Sequence, residues 1–420
     1  MRTEANQTRD PLPYGPGTVL TGTEAHLRKL SEAWRHIHRR HEAGLPLHNV
    51  SGLERGLPLP KLDPWTLDDE WAGALYTGRV RELGLTHLGG NADVHDIAVA
   101  NRLTAALFAA FQVTVRPGST VVGVSATYSH PAVVRAVRDA GGHLVDTIGP
   151  AGFQQALSER SDVSVVALTR LAVSYEALAE DDLRLVVALA HERGAVVVVD
   201  DAGGARVGPA VLGQPRTLEL GADLGATGLD KYGVAGPRVG LLGGRADLVG
   251  RARARLFELG SECRPVLYPA VVQTLETYRP ERVRALVAST RLAGAALRTR
   301  LGEHMVHDTP FITRLPGEAI SAELARRAGP GTTPPAPIDA TALLAMVLLR
   351  EHGLLTVHFA GMPPGTSALL IKFLPAQTIE ALGGPEAFAA TVDLSLDQAA
   401  AVLTEGEAAV RRLLLGDSDG

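Results

Sequence analysis

Lysine is scarce in this chain, and one lysine lies where an amine could act as a nucleophile. The lysines are Lys29, Lys61, Lys231 and Lys372. Lys231 lies in the glycine-rich stretch 225–244, downstream of an apolar run that ends in Asp200 and Asp201. A partly neutral amine can form an imine with an aldehyde, whereas a guanidinium stays charged and cannot. Position 231 therefore needs lysine in a chain that otherwise uses arginine.

A buried carboxylate followed by a lysine in a loop provides the two groups that a pyridoxal phosphate site requires. The lysine forms a Schiff base, and the carboxylate keeps the pyridine nitrogen protonated so that the ring can withdraw electrons. Asp200 fits this role better than Asp201, because consecutive strand residues face opposite sides of a sheet. Ala202 would share the face of Asp200 and is small enough to lie under the ring. Arg238 follows Lys231 by seven residues and could bind the cofactor phosphate.

Each of these features also has an ordinary structural explanation. A lysine in a glycine-rich loop is commonly a solvated surface residue. An aspartate at the end of an apolar strand occurs in many doubly wound sheets. The joint spacing of Asp200, Lys231 and Arg238 favours the cofactor site over these alternatives.

The chain resembles fold type I pyridoxal phosphate enzymes over roughly residues 83–242. Residues 197–202 resemble the apolar strand of that superfamily that ends in Asp-x-Ala. Residues 230–240 are similar to the lysine, glycine-proline and glycine pattern of serine hydroxymethyltransferases and bacterial selenocysteine synthases, and the Asp-Lys pair and residues 101–107 favour the second of these branches. The resemblance implies an α/β fold, with a mostly parallel seven-stranded-type sheet flanked by helices in a large domain and a smaller α+β C-terminal domain.

A phosphate cradle is predicted where an apolar helix begins. A helix N-terminus presents unpaired N–H groups and a partial positive charge, which favour an anion. The candidates at this position are Asn101, Arg102, Leu103 and Thr104. The alternative is an ordinary stretch inside a longer helix that starts at Val94.

Three more residues are assigned to the cofactor. By resemblance, His130 is the residue that stacks on the pyridine ring, in preference to Tyr128, although His130 could instead simply cap the helix that follows. Thr227 is expected to donate its hydroxyl to the phosphate. Ser174 is expected to meet the phenolic oxygen of the cofactor.

The residue that binds the substrate carboxylate departs from the family pattern. Aminotransferases and hydroxymethyltransferases usually provide an arginine from a strand of the small domain, because its planar fork binds carboxylate bidentately. The corresponding strand here offers Lys372, which pairs with a carboxylate only as a point charge. Arg314 and Arg170 are the alternatives for this role, and Lys372 could equally be an edge residue of the sheet.

Composition narrows the class of protein. With 420 residues, 45% hydrophobic and 21% charged, the chain is long enough for two globular domains. The formal charge of -5 gives no electrostatic case for nucleic acid. The single cysteine, Cys263, excludes an internal disulfide and predicts a reducing, cytoplasmic setting. No apolar segment approaches the roughly 20 residues of a membrane span, and no metal site is predicted.

The pattern of elements predicts three parts: an N-terminal arm and helix at 1–60, a large cofactor-binding domain at 61–280 and a small domain at 281–420. The predicted helices cover 23–41, 94–111, 131–140, 153–158, 179–193, 280–305, 340–352 and 397–415. The predicted strands cover 120–124, 143–146, 163–168, 195–199, 354–359 and 368–374. Strands that alternate with helices predict a mostly parallel sheet covered on both faces.

These observations predict a pyridoxal phosphate-dependent lyase or transferase that acts on an amino acid. Lys231 would be the Schiff-base amine and then the base at the α-carbon, leading to β- or γ-elimination or replacement. An aminotransferase or a retro-aldol enzyme is the alternative, and a non-catalytic relative of the fold is a third. The resemblance implies a homodimer or larger homo-oligomer, with residues 76–91 contributing to the neighbouring site. The arginine-rich composition suggests a high-GC bacterium and a role in specialised metabolism.

Overall fold

The computed structural model describes residues 16–59, 64–359 and 367–417. The predicted boundary at residues 60 and 61, with Lys61, lies outside these ranges. The strands are β1 (His48–Asn49), β2 (His95–Ala100), β3 (Thr120–Ser125), β4 (His143–Ile148), β5 (Val163–Thr169), β6 (Val196–Asp200), β7 (Leu224–Gly228), β8 (Gly240–Arg245), β9 (His307–Asp308), β10 (Ile312–Pro316), β11 (Leu354–Leu355) and β12 (Ala368–Lys372).

The helices alternate with the strands in the first half of the chain and dominate the second half. They are α1 (Thr23–Glu42), α2 (Asp69–Leu88), α3 (Leu103–Thr114), α4 (Pro131–Asp139), α5 (Gly149–Glu159), α6 (Glu180–Glu192), α7 (Gly204–Val207), α8 (Ala246–Glu258), α9 (Tyr268–Thr277), α10 (Pro280–Leu301), α11 (Gly317–Ala328), α12 (Pro337–His352), α13 (Ala376–Ala381), α14 (Pro385–Thr404) and α15 (Glu407–Leu415). None of the helices in the described ranges is long and apolar enough to cross a membrane.

A seven-stranded sheet forms the centre of the molecule, with the strand order β2-β8-β7-β6-β5-β3-β4. Of these strands, β8 alone runs opposite to the others. Alternate residues face opposite layers: Val198 packs with α3, α4 and α8, whereas Val197 and Val199 pack with α5 and α6. The predicted mostly parallel sheet with helices on both faces is confirmed.

The antiparallel side of the sheet differs from the prediction. The residues from Val94 onward were expected to be helical, but they form β2, and α3 begins only at Leu103. Residues 97–100 are buried on both faces, and such an apolar run has no alternation that would distinguish a strand from a helix. Strands β7 and β8 were not predicted because they are glycine-rich. At Gly240 a Cβ would lie 2.6 Å from the carbonyl oxygen of Arg102, so only glycine lets β8 pass the start of α3.

The C-terminal part has its own three-stranded sheet, β12-β10-β9, and a core formed largely by α10, α11, α12 and α14. The N-terminal helix α1 packs against α12 and α15, and Ala33 belongs to the same core. Strand β1 pairs in parallel with β11, which is shorter than the predicted strand. The predicted last helix is divided into α14 and α15 at Gly406, where φ is 93°. The domain limits themselves stay a prediction.

Candidate active site

The carboxyl ends of the parallel strands carry a row of small and polar side chains. Thr169, Asp200 and Ala226 lie side by side on β5, β6 and β7, and Ser125 ends the adjacent strand β3. The buried hydroxyl oxygens of Ser125 and Thr169 have no hydrogen-bond partner within the part of the chain that the structure describes. Buried polar atoms are normally satisfied, so this row is suited to receive a polar ligand.

Asp200 and Asp201 have different environments, as strand alternation predicts. Asp200 is 5% exposed, and Oδ1 accepts a hydrogen bond of 3.3 Å from the backbone N–H of Ala202. Burial raises the pKa of Asp200 to about 6, against the opposing effect of the positive charge of Lys231. Asp201 instead forms a buried ion pair of 2.9 Å with Arg170 and accepts a hydrogen bond from Thr217.

The ion pair with Asp201 corrects one substrate-binding candidate. Arg170 is 1% exposed and also donates to the carbonyl oxygen of Pro215 at 2.8 Å. Its charge is therefore balanced by a structural carboxylate on the side of the strand that faces away from Asp200. Arg170 therefore has a structural role and is not proposed to bind the substrate carboxylate.

Lys231 is partly buried in the loop that follows β7. Burial lowers its pKa, and the positive charges of Arg206 and Arg55 act in the same direction, whereas Asp230 and Asp200 raise it. A lysine with a lowered pKa has a larger neutral fraction and is a better nucleophile. The electrostatic coupling between Asp200 and Lys231 brings together the two residues on which the sequence interpretation depends.

The segment before α2 holds the lysine loop in place. Leu53 forms a β-bridge with Lys231, and the backbone N–H of Glu54 donates to the carbonyl oxygen of Asp230 at 2.9 Å. Arg55 forms an ion pair of 2.8 Å with Asp230. No local sequence pattern indicates this contact, because the two partners of the ion pair are 175 positions apart.

Arg206 is a buried cation beneath the lysine loop that the sequence did not identify. Its Nη2 donates to the carbonyl oxygens of Ala202 and Gly228 and to Thr227 Oγ1, at 3.0, 2.8 and 2.9 Å. This contact corrects the role expected for Thr227. Its side chain faces the opposite side of β7 from Ala226, and its hydroxyl accepts a hydrogen bond from Arg206, so we do not include it among phosphate ligands.

Arginines converge where α3 begins. Arg102 and Arg238 lie close enough to Arg55 for each pKa to be lowered by burial and then by the neighbouring guanidinium, and the pKa of Arg238 falls to about 10. Asp230 is the acid that opposes these charges. No side chain of the described residues caps α3, whose first turn contains Leu103 and Thr104. Clustered guanidinium groups beside uncapped N–H groups suit a dianionic phosphate.

The structure gives the remaining predicted residues the following contacts. The imidazole of His130 caps α4, with Nδ1 accepting from the N–H of Ala132 at 3.0 Å, and burial and the charge of Lys231 lower its pKa to about 4. The hydroxyl of Ser174 is 2.7 Å from that of Thr127. Asn101 is exposed, and its backbone N–H donates to Ser261. Stacking by His130 and a cofactor contact by Ser174 stay predictions.

Two cations of the small sheet lie on the face that packs against Tyr175 and Tyr232. Ile312 pairs with Lys372 and Arg314 pairs with Leu370, so Arg314 and Lys372 share one face. Lys372 is only 3% exposed, which excludes a solvated edge position. Arg314 is partly buried, donates to the carbonyl oxygen of Ser174 at 3.1 Å and lies 3.3 Å from Glu176.

Comparison with known proteins identifies the family. The chain is 32% identical over 330 residues to a UPF0425 pyridoxal phosphate-dependent protein of Methanothermobacter thermautotrophicus. The aligned region covers 77% of this chain and 80% of the relative. The chain belongs to the UPF0425 pyridoxal phosphate-dependent proteins. A second member, from Methanosphaera stadtmanae, is 29% identical over 76% of the chain and 80% of its own length. No protein-family model matches the sequence.

The fold of this UPF0425 protein is that of fold type I enzymes. A crystal structure of aspartate aminotransferase from Thermotoga maritima superposes with a TM-score of 0.53 and covers 87% of this chain and 96% of its own, at 17% identity. The predicted fold class is thereby confirmed. The family name likewise confirms the predicted cofactor, pyridoxal phosphate.

Proposed function

We propose that this UPF0425 protein is a pyridoxal phosphate-dependent lyase or transferase that removes a proton from the α-carbon of an amino acid and then eliminates or replaces a group at the β- or γ-carbon. The observation that carries the proposal is the position of Lys231 in the loop after β7, the strand that pairs with the Asp200 end of β6, so that each charge acts on the pKa of the other group. When bound, the cofactor supplies the electron-withdrawing ring that stabilises negative charge at the α-carbon.

The residues of the chain supply binding and proton transfer. Asp200 would hold the pyridine nitrogen protonated over the small side chain of Ala202, and the neutral imidazole of His130 would cover the ring from the other side. Lys231, whose pKa is lowered by burial, would provide the amine that attaches the cofactor and then accept the α-proton at Nζ. Ser174 would contact the phenolic oxygen of the cofactor.

The phosphate would bind between α3 and the lysine loop. We assign it to Arg102, Arg238 and the N–H groups of Leu103 and Thr104, with Asn101 at the rim, and we add Arg55 to the predicted set. The charge of Arg55 lowers the pKa of both Arg102 and Arg238, so the three guanidinium groups lie near one another beside Asp230. A dianionic phosphate would pair with such a group of guanidinium cations.

The phosphate assignment predicts that Arg238→Gln weakens cofactor binding. Loss of a hydrogen bond between charged groups corresponds to about 1.5–3 kcal/mol, so the Kd should rise about 10- to 100-fold. The measurement is titration of the apoprotein with pyridoxal phosphate, with Arg245→Gln as the matched control. Arg238 lies two residues before β8, whereas Arg245 is the last residue of that strand, at its other end. Arg245 pairs there with Asp223 and Asp247. If the two variants bind pyridoxal phosphate with equal affinity, Arg238 does not bind the phosphate.

We assign the substrate carboxylate to Arg314 in preference to Lys372. The guanidinium of Arg314 is 26% exposed and borders the loop that contains Ser174. Its partner Glu176 is itself 39% exposed. Such a half-exposed pair is weak, so a substrate carboxylate can replace it.

The reaction type is tested by incubating the holoprotein with amino acids that carry a leaving group on the β- or γ-carbon. A change in the absorbance of the bound cofactor identifies those that bind, and release of ammonia and a keto acid without any added keto acid supports elimination. A requirement for an added keto acid would instead indicate an aminotransferase. If no amino acid changes the spectrum, the proposal is wrong. Arg314→Gln should raise KM for the active amino acid about 10-fold or more.

We also propose that the protein is a homodimer, with a larger homo-oligomer as the alternative. All three tryptophans are more than half exposed, and the rings of Trp65 and Trp71 are 5.2 Å apart at the start of α2. Leu75, one turn further along α2, is 55% exposed. Apolar surface of this kind is commonly covered in an assembly. Residues 76–91, expected to approach the neighbouring site, include the second half of α2.

We also propose that the protein is cytoplasmic, because the buried free thiol of Cys263 suits that reducing compartment.

A further inference from the structure

A second lysine amine lies beside Lys231 at the end of a hydrogen-bond chain. Nζ of Lys372 donates to Tyr175 Oη at 2.7 Å, and Tyr175 Oη is 3.0 Å from Tyr232 Oη. The three residues are 3%, 5% and 7% exposed. Tyr232 directly follows Lys231, whose Nζ is 5.9 Å from the centre of the Tyr232 ring. Among the described residues, no carboxylate forms an ion pair with Lys372.

Backbone strain is concentrated around this hydrogen-bond chain. Within the described ranges, the non-glycine residues with positive φ are Tyr175, Tyr232 and Phe373, with φ of 68°, 57° and 47°. All three are aromatic, a type for which this conformation is unfavourable. They meet at Lys372: Phe373 follows it in sequence and packs edge to face on Tyr232, with ring centres 4.8 Å apart. Strain of this kind persists where it positions functional groups.

The charges around Lys372 keep part of its population neutral. Burial and, to a smaller extent, the charges of Lys231 and Arg55 lower its pKa to about 7, while the charge of Asp230 opposes them. The charge of Lys372 also acts on His358, on the turn after β11, whose own pKa is lowered chiefly by burial to about 3. Both tyrosine rings lie 5.3 Å from Nζ. A neutral amine and a phenol can each donate and accept, whereas an ammonium group can only donate.

We propose that Lys372, Tyr175 and Tyr232 form a proton-exchange chain that serves the space beside Lys231 as a second acid–base group. A bound donor gives a proton to Tyr232 Oη, the Tyr232 proton moves to Tyr175 Oη, and the Tyr175 proton moves to Lys372 Nζ. Both phenols end neutral and Lys372 ends as ammonium. The reverse sequence returns the proton, for example to a departing group. The use of this chain in turnover rests on the function proposed above.

A purely structural role does not account for these features. Packing alone would be served by a neutral side chain of similar length, such as methionine, at lower cost than a buried amine. A carboxylate partner would favour a charged lysine, and Arg314 already provides a guanidinium on the same face of the small sheet. The hydrogen-bonded phenols are instead suited to an amine that gains and loses a proton.

Because the protein has four lysines, the proton-exchange chain can be tested directly in the apoprotein. Isotopic labelling of lysine gives four side-chain NMR signals, and Lys372→Met assigns one of them. We expect the Lys372 signal to titrate near pH 7 and its midpoint to fall in Tyr175→Phe, because the ammonium form loses its oxygen acceptor. Lys231→Met should raise the midpoint by removing a positive neighbour. The signal of Lys29, a buried lysine elsewhere, should not change in either variant and serves as the internal control.

A midpoint for Lys372 near 10.4, the ordinary value for lysine, would overturn the proposal, as would a midpoint that is the same in Tyr175→Phe. In the holoprotein, Tyr175→Phe, Tyr232→Phe and Lys372→Met should each lower kcat about 10²-fold while the cofactor stays bound, and Lys372→Arg should not restore it. Full activity of Lys372→Met would also reject the role. Failure of the proposed function is distinguishable, because the NMR titration needs neither cofactor nor substrate.

Discussion

Replacing Lys231 with alanine is expected to abolish covalent attachment of the cofactor. The absorbance at about 420 nm should disappear, and activity on the amino acid found in the screen should fall by about 10³-fold or more. The physical reason is that Lys231 supplies both the attacking amine and the base, two functions that no arginine can perform. Borohydride reduction followed by peptide mass spectrometry should place the cofactor adduct on the peptide that contains Lys231 in the wild type and on none in the variant.

Two matched variants sharpen this result. Lys231→Arg keeps the positive charge but cannot form an imine, so it should bind the cofactor without the absorbance band. Lys29→Met removes a buried lysine from the N-terminal helix, away from the site, and should retain the band. If Lys231→Ala kept the band, the amine would belong to another lysine and the assignment of the active site would be wrong.

Asp200→Asn is expected to stabilise the apoprotein and to weaken cofactor binding. Burial raises the pKa of Asp200 from 3.8 to about 6, so the folded state binds this proton more tightly than the unfolded state. The contribution to stability is therefore fully present below pH 3.8 and is lost as the pH rises to 6. Above that pH the buried carboxylate costs about 3 kcal/mol, which asparagine removes. The same change removes the anion that would hold the pyridine nitrogen protonated.

The measurement is thermal unfolding of the two apoproteins across this pH range. The variant should have the higher Tm above pH 6 and no advantage at pH 4. Asp201→Asn is the matched control, because it removes the carboxylate from the buried ion pair with Arg170 and should destabilise the protein by about 3–5 kcal/mol. A lower Tm for Asp200→Asn at pH 8 would show that its carboxylate is compensated by a partner that the apoprotein already contains.

The residues at the centre of the proposed site follow local sequence rules. Alternation along β6 predicts different environments for Asp200 and Asp201, and the structure places the first beside Thr169 at the strand ends and the second against a buried arginine. Strands β3, β4, β5 and β6 were predicted because apolar runs alternate there with amphipathic helices. The glycines of β7 and β8 concealed two strands, since their need for glycine comes from neighbouring backbone such as that near Arg102.

The residues that the sequence did not identify are those brought in by long-range contacts. Arg55 reaches Asp230, and Arg206 supports the lysine loop from beneath, yet neither has a neighbour in sequence that indicates this. Tyr175 and Tyr232 are distinguished in the structure by their positive φ values, which the sequence does not report. Lys372 was found from the family pattern, but its burial and its phenolic partner depend on packing between the two sheets.

The connection between β1 and the lysine loop has a mechanical consequence. Only Val50, Ser51 and Gly52 separate β1, which pairs with the C-terminal part through β11, from Leu53, which pairs with Lys231. Asn49 stiffens this link by donating to the carbonyl oxygen of Leu53 at 2.7 Å and accepting from the N–H of Ser51. A connection of this length allows little relative movement between the two parts that it joins. A rotation of the C-terminal helices is therefore expected to move Arg55, and with it one of the groups proposed to bind the cofactor phosphate.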